Sequence, residues 1–144
     1  MKVKLKNKHL IEATQFLQEL RLKGSESRAR TKFVELLDRS IDCLGRSEIE
    51  LVKEYAILGE DGEIEFGENG TYNLRENVAE EFFTEKAKLF EETAEIEGGT
   101  YTTHLETMLK ILEECDIELS GEQAVLYDVL CEAFEEAVKE REVT

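Results

Sequence analysis

The chain contains no proline, no tryptophan and only two histidines in 144 residues. Without proline, nothing in the sequence forces a long helix to stop or kink. The histidines, His9 and His104, have no His, Cys or acidic neighbour at the helical spacing of metalloproteases or deaminases. His104-Leu105-Glu106 copies the H-x-E fragment of zinc deaminases, but no downstream Cys-x-x-Cys completes it. Cysteine is sparse too: Cys43, Cys115 and Cys131 are odd in number and widely spaced. That pattern suits small core thiols in a reducing cytoplasm and not a disulfide framework. No apolar run approaches the roughly 18 residues of a membrane span. The opening Met1 to Lys6 alternates charged and apolar residues, which a signal peptide does not. These absences point to a soluble, intracellular protein.

Cations are scarce after residue 32. Residues 1–32 hold nine Lys/Arg against three Glu, whereas residues 33–144 hold nine Lys/Arg against 31 Asp/Glu, and the whole carries −16. A surface this acidic is repelled by phosphate backbones and anionic lipid. Membrane association and direct nucleic-acid binding are therefore not expected, and a basic protein surface is the better match.

What is present is helical periodicity. Val3 and Leu5 between Lys2, Lys4 and Lys6 alternate as a half-buried strand does. Asn7 can cap a helix carrying Leu10, Ala13, Leu17 and Leu20, with Gly24 as its stop. From Ser25 to Leu58 a second helix follows, its stripe being Val34, Leu37, Ile41, Leu44, Leu51, Tyr55 and Leu58, with Gly45 as the natural break. At 1.5 Å per residue it would be on the order of 50 Å long, more than a small core can cover. Asp61-Gly62 and Asn69-Gly70 predict turns in a small β-hairpin at 59–73. Asn73 with Glu76 would cap a returning helix whose stripe is Ala79, Phe83, Ala87 and Phe90, packed on Leu44, Leu51 and Tyr55. On that reading Glu80, Glu81, Glu85, Glu91 and Glu92 face outward.

Two further short strands are predicted at 94–97 and 116–119, bracketed by glycine or serine turns. Thr103 with Glu106 and Ser120 with Gln123 form capping pairs. The helices they open carry Leu105, Met108, Leu109 and Leu112, and then Leu126, Leu130, Ala133, Phe134 and Ala137. Lysines on the first strand against glutamates on the other two would give opposite-charge cross-strand pairs. The expectation is a mostly α, α+β single domain over 1–144. It comprises a helical bundle, a small sheet from strands near 2–6, 94–97 and 116–119, and a helical-hairpin arm over about 28–93 with its tip at 59–73.

Chemistry-bearing constellations are weak. Counting back from Gly62, the first and third slots of a calcium loop fall on Ile57 and Gly59, which offer no carboxylate. Adjacent carboxylates such as Glu113/Glu114 and Glu135/Glu136 provide no cleft that would set two acids apart in pKa. Neither a nucleophile elbow nor a phosphate-cradling glycine loop is present, since Gly67 to Gly70 is short and acidic. No metal or cofactor is implied. Arg21, Lys23, Arg28, Arg30 and Lys32 cluster around the junction of the first two helices. They suit either internal pairing with the acidic C-terminal helices or docking of an acidic partner, and no aromatic interleaves them as nucleic-acid binding favours.

Three stretches taken together resemble a family of small proteins of tailed phages and prophages of Gram-positive bacteria. They are Lys4-Leu5-Lys6-Asn7-Lys8 leading to Leu22-Lys23-Gly24-Ser25-Glu26-Ser27-Arg28-Ala29-Arg30, Glu60-Asp61-Gly62 with Glu68-Asn69-Gly70, and Leu119-Ser120-Gly121 with Tyr127-Asp128. The resemblance implies a viral origin and residence in the cytoplasm of an infected bacterium, with virion association as the alternative. Its motifs are caps and turns, and it carries no established activity and no catalytic residue. The function that follows is non-enzymatic protein binding, in particle assembly or host manipulation, with self-association through the long helix as one form of it. The surface residues for such contact are Arg21, Lys23, Arg28, Arg30, Lys32, Glu80, Glu81 and Glu85. Two other classes stand beside it: an acidic mimic of nucleic acid that occupies a host DNA-binding protein, and an enzyme whose site is assembled from distant residues.

Overall fold

Alternation at the N-terminus and three-four spacing thereafter give, among the described residues, one short strand pair and five helices. The structure, a computed structural model, describes residues 2–97 and 103–143. In chain order it runs β1 (Lys2–Lys6), a 3-10 turn (Asn7–His9), α1 (Leu10–Glu19), α2 (Gly24–Tyr55), a 3-10 turn (Glu68–Gly70), α3 (Ala79–Glu91), β2 (Thr93–Glu97), α4 (His104–Glu113) and α5 (Gly121–Val143). Its contacts divide into two compact units, residues 1–41 with 93–144, and residues 42–92.

In the first unit β1 and β2 pair antiparallel, with Lys2 opposite Glu97, Val3 opposite Ile96 and Lys4 opposite Glu95. Val3, Leu5 and Ile96 are buried. The outer face is ionic: the Lys2 ammonium lies 3.0 Å from Glu97 and 3.6 Å from Glu95. The hydrogen bond to Glu97, and then the charges of both carboxylates, hold the Lys2 amine above its usual 10.5. The expected lysine-glutamate ribbon is therefore present, with one correction. Among the described residues the sheet has two strands, and residues 115–120 form none. Position explains it. That segment is tied to the start of α5, whereas β1 lies along Val129 to Glu140 of α5, roughly 12 to 28 Å further along the helix at 1.5 Å per residue. The Gly98-Gly99 turn read after β2 lies outside the described residues.

The core beneath the strands follows the apolar spacing. Leu10, Ala13, Phe16, Leu17 and Leu20 come from α1 and the residue after it, Phe33 and Leu37 from α2, Leu105, Met108, Ile111 and Leu112 from α4, and Leu126, Leu130, Phe134 and Ala137 from α5. Phe33 and Phe134 meet at 4.9 Å between ring centres, and Phe16 and Tyr127 at 6.0 Å. Two helix ends are closed by side chains from elsewhere in this unit. The Arg30 guanidinium donates to the carbonyl of Leu17 at 2.9 Å and also to that of Leu20. A cation placed on the carbonyl end of α1 satisfies orphan acceptors and complements the helix dipole. The Tyr127 hydroxyl likewise donates to the Leu112 carbonyl at the end of α4. Burial, and then the neighbouring Cys131 thiol, push the Tyr127 phenol up to about 12.

Several boundaries differ from the sequence expectation. Gly24 opens α2 and does not close α1, which ends five residues earlier with Leu20 extended. Gly45 does not interrupt α2, and a Cβ there would meet nothing within 4 Å. A side-chain-free residue in a helix costs stability without forcing a break. The cap read at Thr103 does not form, since Thr103 makes no side-chain cap hydrogen bond before α4, and the residue that precedes α1 is His9, with Asn7 inside the 3-10 turn. Cys43 is exposed on α2, so it is not a core thiol, while Cys115 and Cys131 are partly buried.

Candidate interaction surface

The second unit begins with the last turns of α2 and is built around the segment that follows them. After Tyr55 the chain pairs back on itself through single bridges, Ala56 with Leu74 and Leu58 with Ile64. Between these lie two turns with one backbone hydrogen-bond pattern, which differ in that Asn69 of the second is left-handed at φ +61°. Gly59 N–H donates to Glu63 C=O at 2.8 Å and Gly62 N–H to Gly59 C=O at 3.0 Å. Eight residues on, Gly67 N–H donates to Thr71 C=O at 2.6 Å and Gly70 N–H to Gly67 C=O at 3.3 Å. Gly62 at φ +78° and Gly70 at φ +74° occupy the left-handed region that glycine alone enters without penalty.

The sequence carries this duplication as Gly-Glu-Asp-Gly-Glu-Ile-Glu-Phe (59–66) followed by Gly-Glu-Asn-Gly-Thr-Tyr-Asn-Leu (67–74). The expected β-hairpin is thus replaced by two successive tight turns, because each repeat is too short to leave residues for a strand.

These turns set the sixth residue of each repeat, Ile64 and Tyr72, with Leu74, against a small core of Val52, Ala56 and Phe82. Phe82 is its keystone. Its ring lies edge-on to Tyr55 at 5.8 Å and to Tyr72 at 6.3 Å. The helix phase of α3 is accordingly rotated by one residue from the expected stripe. Phe82 is 1% exposed and Phe83 is 59% exposed, and Ala79 and Ala87 are exposed as well. The expected cap at Asn73 and Glu76 also fails, because α3 begins at Ala79 after a left-handed Asn77 at φ +64°. The five residues from Leu74 to Val78 are spent on the return. There Arg75 N–H donates to the Tyr55 carbonyl at 2.9 Å, and the Arg75 guanidinium caps the Glu54 carbonyl.

Rotation of α3 leaves an exposed strip of Phe83 and Ala87 between Glu80, Thr84, Lys88 and Glu91. Phe83 stands edge-on to buried Phe82 at 5.2 Å, and exposed Phe66 stands edge-on to Tyr72 at 6.5 Å. Five aromatics therefore form one connected ladder whose outermost rings, Phe66 and Phe83, face solvent. Ile49, Ile57 and Leu58 add exposed apolar surface, each 40% or more accessible. The surrounding charge is strongly negative, with 15 Asp/Glu against five Lys/Arg in residues 42–92.

The residues singled out for contact separate into distinct roles. Glu80 flanks Phe83 on the exposed strip. Glu81 accepts a hydrogen bond from the Tyr55 hydroxyl at 3.0 Å, and desolvation followed by this bond raises the Tyr55 phenol above its usual 10.0. Glu85 pairs with Lys88 at 3.0 Å. Of the basic cluster, Arg30 serves the end of α1, and Lys32 lies 3.7 Å from Glu35 on its own helix. Arg21, Lys23 and Arg28 are exposed. None of the five pairs with an acidic C-terminal helix among the described residues. Sequence reading missed Phe82 and the repeated octapeptide, and the repeat was visible in the glycine spacing.

Among the described residues no three His, Cys, Asp or Glu side chains converge as a metal site requires, and no helix is long and apolar enough to cross a membrane. A family model described as a protein of unknown function, DUF1617, matches residues 1–141. The chain belongs to the DUF1617 family. Neither a curated protein nor a solved structure matches it. The DUF1617 match spans β1, the aromatic ladder and nearly all of α5, so both compact units fall within the family's extent.

Proposed function

We propose that this DUF1617 protein is a phage-encoded, non-enzymatic protein that works in the cytoplasm of an infected bacterium by binding another protein, in assembly or in redirecting the host. The observation that carries this is Phe83, a large aromatic 59% exposed on α3 beside a core whose fully buried members are Val52, Ala56 and Phe82. An exposed ring held edge-on by a buried one is preorganised, and aromatic anchors of that kind dominate the energy of protein interfaces. Glu80 and Glu91 at the rim, and the acidic excess of residues 42–92, select a partner that offers an apolar pocket ringed by Lys or Arg.

The test is affinity capture from infected and uninfected cells with the wild-type chain and with Phe83→Ala. One defined protein, retained at stoichiometric level by wild type and reduced at least about tenfold by the substitution, is the expected result for loss of a hot-spot aromatic. Capture that disappears with added salt but ignores Phe83→Ala would mark charge mimicry and overturn the proposal, as would capture of nothing.

A further inference from the structure

The exposed strip on α3 is made of two adjacent rows at four-residue spacing. Glu80, Thr84 and Lys88 form one row, and Phe83 and Ala87 lie in the other. All five are exposed. The Phe83 ring, 59% accessible, therefore stands one turn from Ala87, which leaves a depression beside it. In the other row an acid and a cation lie two turns apart with the short Thr84 between them.

A strip in this order is complementary to itself when reversed. Phe83 and Ala87 lie equally far on either side of Glu85, and Glu80 and Lys88 equally far on either side of Thr84. A two-fold axis passing at that level between α3 and an antiparallel copy sets Phe83 over Ala87 of the second copy. It also sets Glu80 beside Lys88 of the second copy, and symmetry makes each contact twice. The two centres differ by about 1.5 Å along the helix, which the flexible lysine stem takes up. A parallel pair would instead set Glu80 against Glu80 and Lys88 against Lys88. Lys88 lies 3.0 Å from Glu85 on its own helix, with its side chain 66% exposed. An exposed pair of that kind contributes little, so the ammonium can turn to the second copy at small cost. Thr84 and Ala87 are small enough to let the two helices approach closely.

We propose that a second copy of this chain occupies the Phe83 strip. Two α3 helices pack antiparallel about a two-fold axis, and each Phe83 is covered by the Ala87 depression of the other copy. This rests on the reading of Phe83 as a contact residue and adds regulation to it. The ring is hidden in the dimer and released to a partner that offers a deeper pocket. Two helices of 13 residues make a small contact, so the dimer belongs with transient interfaces. The charge of −16 on each copy opposes it. Assembly therefore needs high chain concentration, and it strengthens as salt screens the long-range repulsion, which exceeds the two short-range attractions.

The experiment is sedimentation equilibrium of the full chain from about 10 μM to about 1 mM, the range in which a small transient contact fills. Wild type should pass from monomer to dimer and no further, and should bind at least about threefold more tightly at about 200 mM salt than at about 20 mM. Phe83→Ala and Ala87→Glu should each weaken the dimer at least about tenfold, as loss of a central anchor does. Glu80→Lys alone and Lys88→Glu alone place like charges opposite each other and should weaken it too. Combined, they exchange the ends of the pair and should restore the wild-type dimer, which no contact with a different protein would do. Thermal melts of the variants confirm that each is folded. A strict monomer at 1 mM, a dimer indifferent to Phe83→Ala, growth beyond the dimer, or failure of the double substitution to recover would each overturn the proposal. A monomer that still captures a foreign protein through Phe83 sinks this inference and leaves the function proposed above. A dimer that captures nothing does the reverse.

Discussion

Two single side chains close helix ends, and both carry consequences that can be measured. Arg30 donates to two carbonyls at the end of α1 through Nη1 while Nη2 reaches Ser27 Oγ at 3.5 Å, and this spread of planar donors is poorly replaced by the point charge of lysine. Arg30→Ala should cost about 2 kcal/mol and Arg30→Lys most of that, because charged hydrogen bonds contribute roughly 1.5–3 kcal/mol. Arg28→Ala, nearby and exposed, should change stability by less than about 0.5 kcal/mol. Urea denaturation of the three variants tests the difference. Tyr127 binds the Leu112 carbonyl, and its phenol is pushed up to about 12. A phenol that ionises more reluctantly folded than unfolded contributes stability fully present below about pH 10 and lost as pH climbs toward 12. Tyr127→Phe should cost about 1 kcal/mol near neutrality and flatten the decline of melting temperature across that alkaline window. An unchanged decline in the variant would contradict the role given to the hydroxyl.

At the scale of elements, three-four spacing located the buried faces of α1, α4 and α5, because each buries one continuous face: Leu126, Leu130, Phe134 and Ala137 are all at or below 5% exposure. The returning helix α3 was less legible. It carries apolar residues on two adjacent faces, Phe82 with Leu89 and Phe83 with Ala87, so periodicity permits either phase. The choice is made by Tyr55 and Tyr72, which meet Phe82 from distant points in the chain. Glycines were misjudged for a related reason, since a glycine's spelling does not disclose its φ. Gly70 sits at φ +74°, whereas Gly45 lies within continuous helix with open space where a Cβ would go. The two should respond with opposite sign. Gly45→Ala should stabilise by about 0.5–1 kcal/mol through helix propensity, and Gly70→Ala should destabilise by about 1–2 kcal/mol through left-handed strain. Guanidinium denaturation of the two single variants is the check.

At the scale of the whole molecule, the charge asymmetry was legible and its main structural use was read correctly: Lys2 meets Glu95 and Glu97 across the strand pair. The third strand was over-read, because alternation at 116–119 says nothing of where α5 carries that segment. The exposed strip on α3 was only partly legible. The acidic residues around it were visible, but the aromatic at its centre depended on the helix phase. With 34 acids against 18 cations, repulsion outweighs pairing, so the melting temperature should rise as salt is added from about 10 to 200 mM while self-repulsion is screened. A fall would mean that the ion pairs dominate. The central claim is that α3 buries Phe82 and leaves Phe83 exposed, and equilibrium denaturation of Phe82→Ala and Phe83→Ala side by side tests it most directly. A loss of about 3–5 kcal/mol for the first, as for a buried ring in a packed core, and under about 0.5 kcal/mol for the second, is the result required. Equal losses, or a larger loss at Phe83, would contradict it.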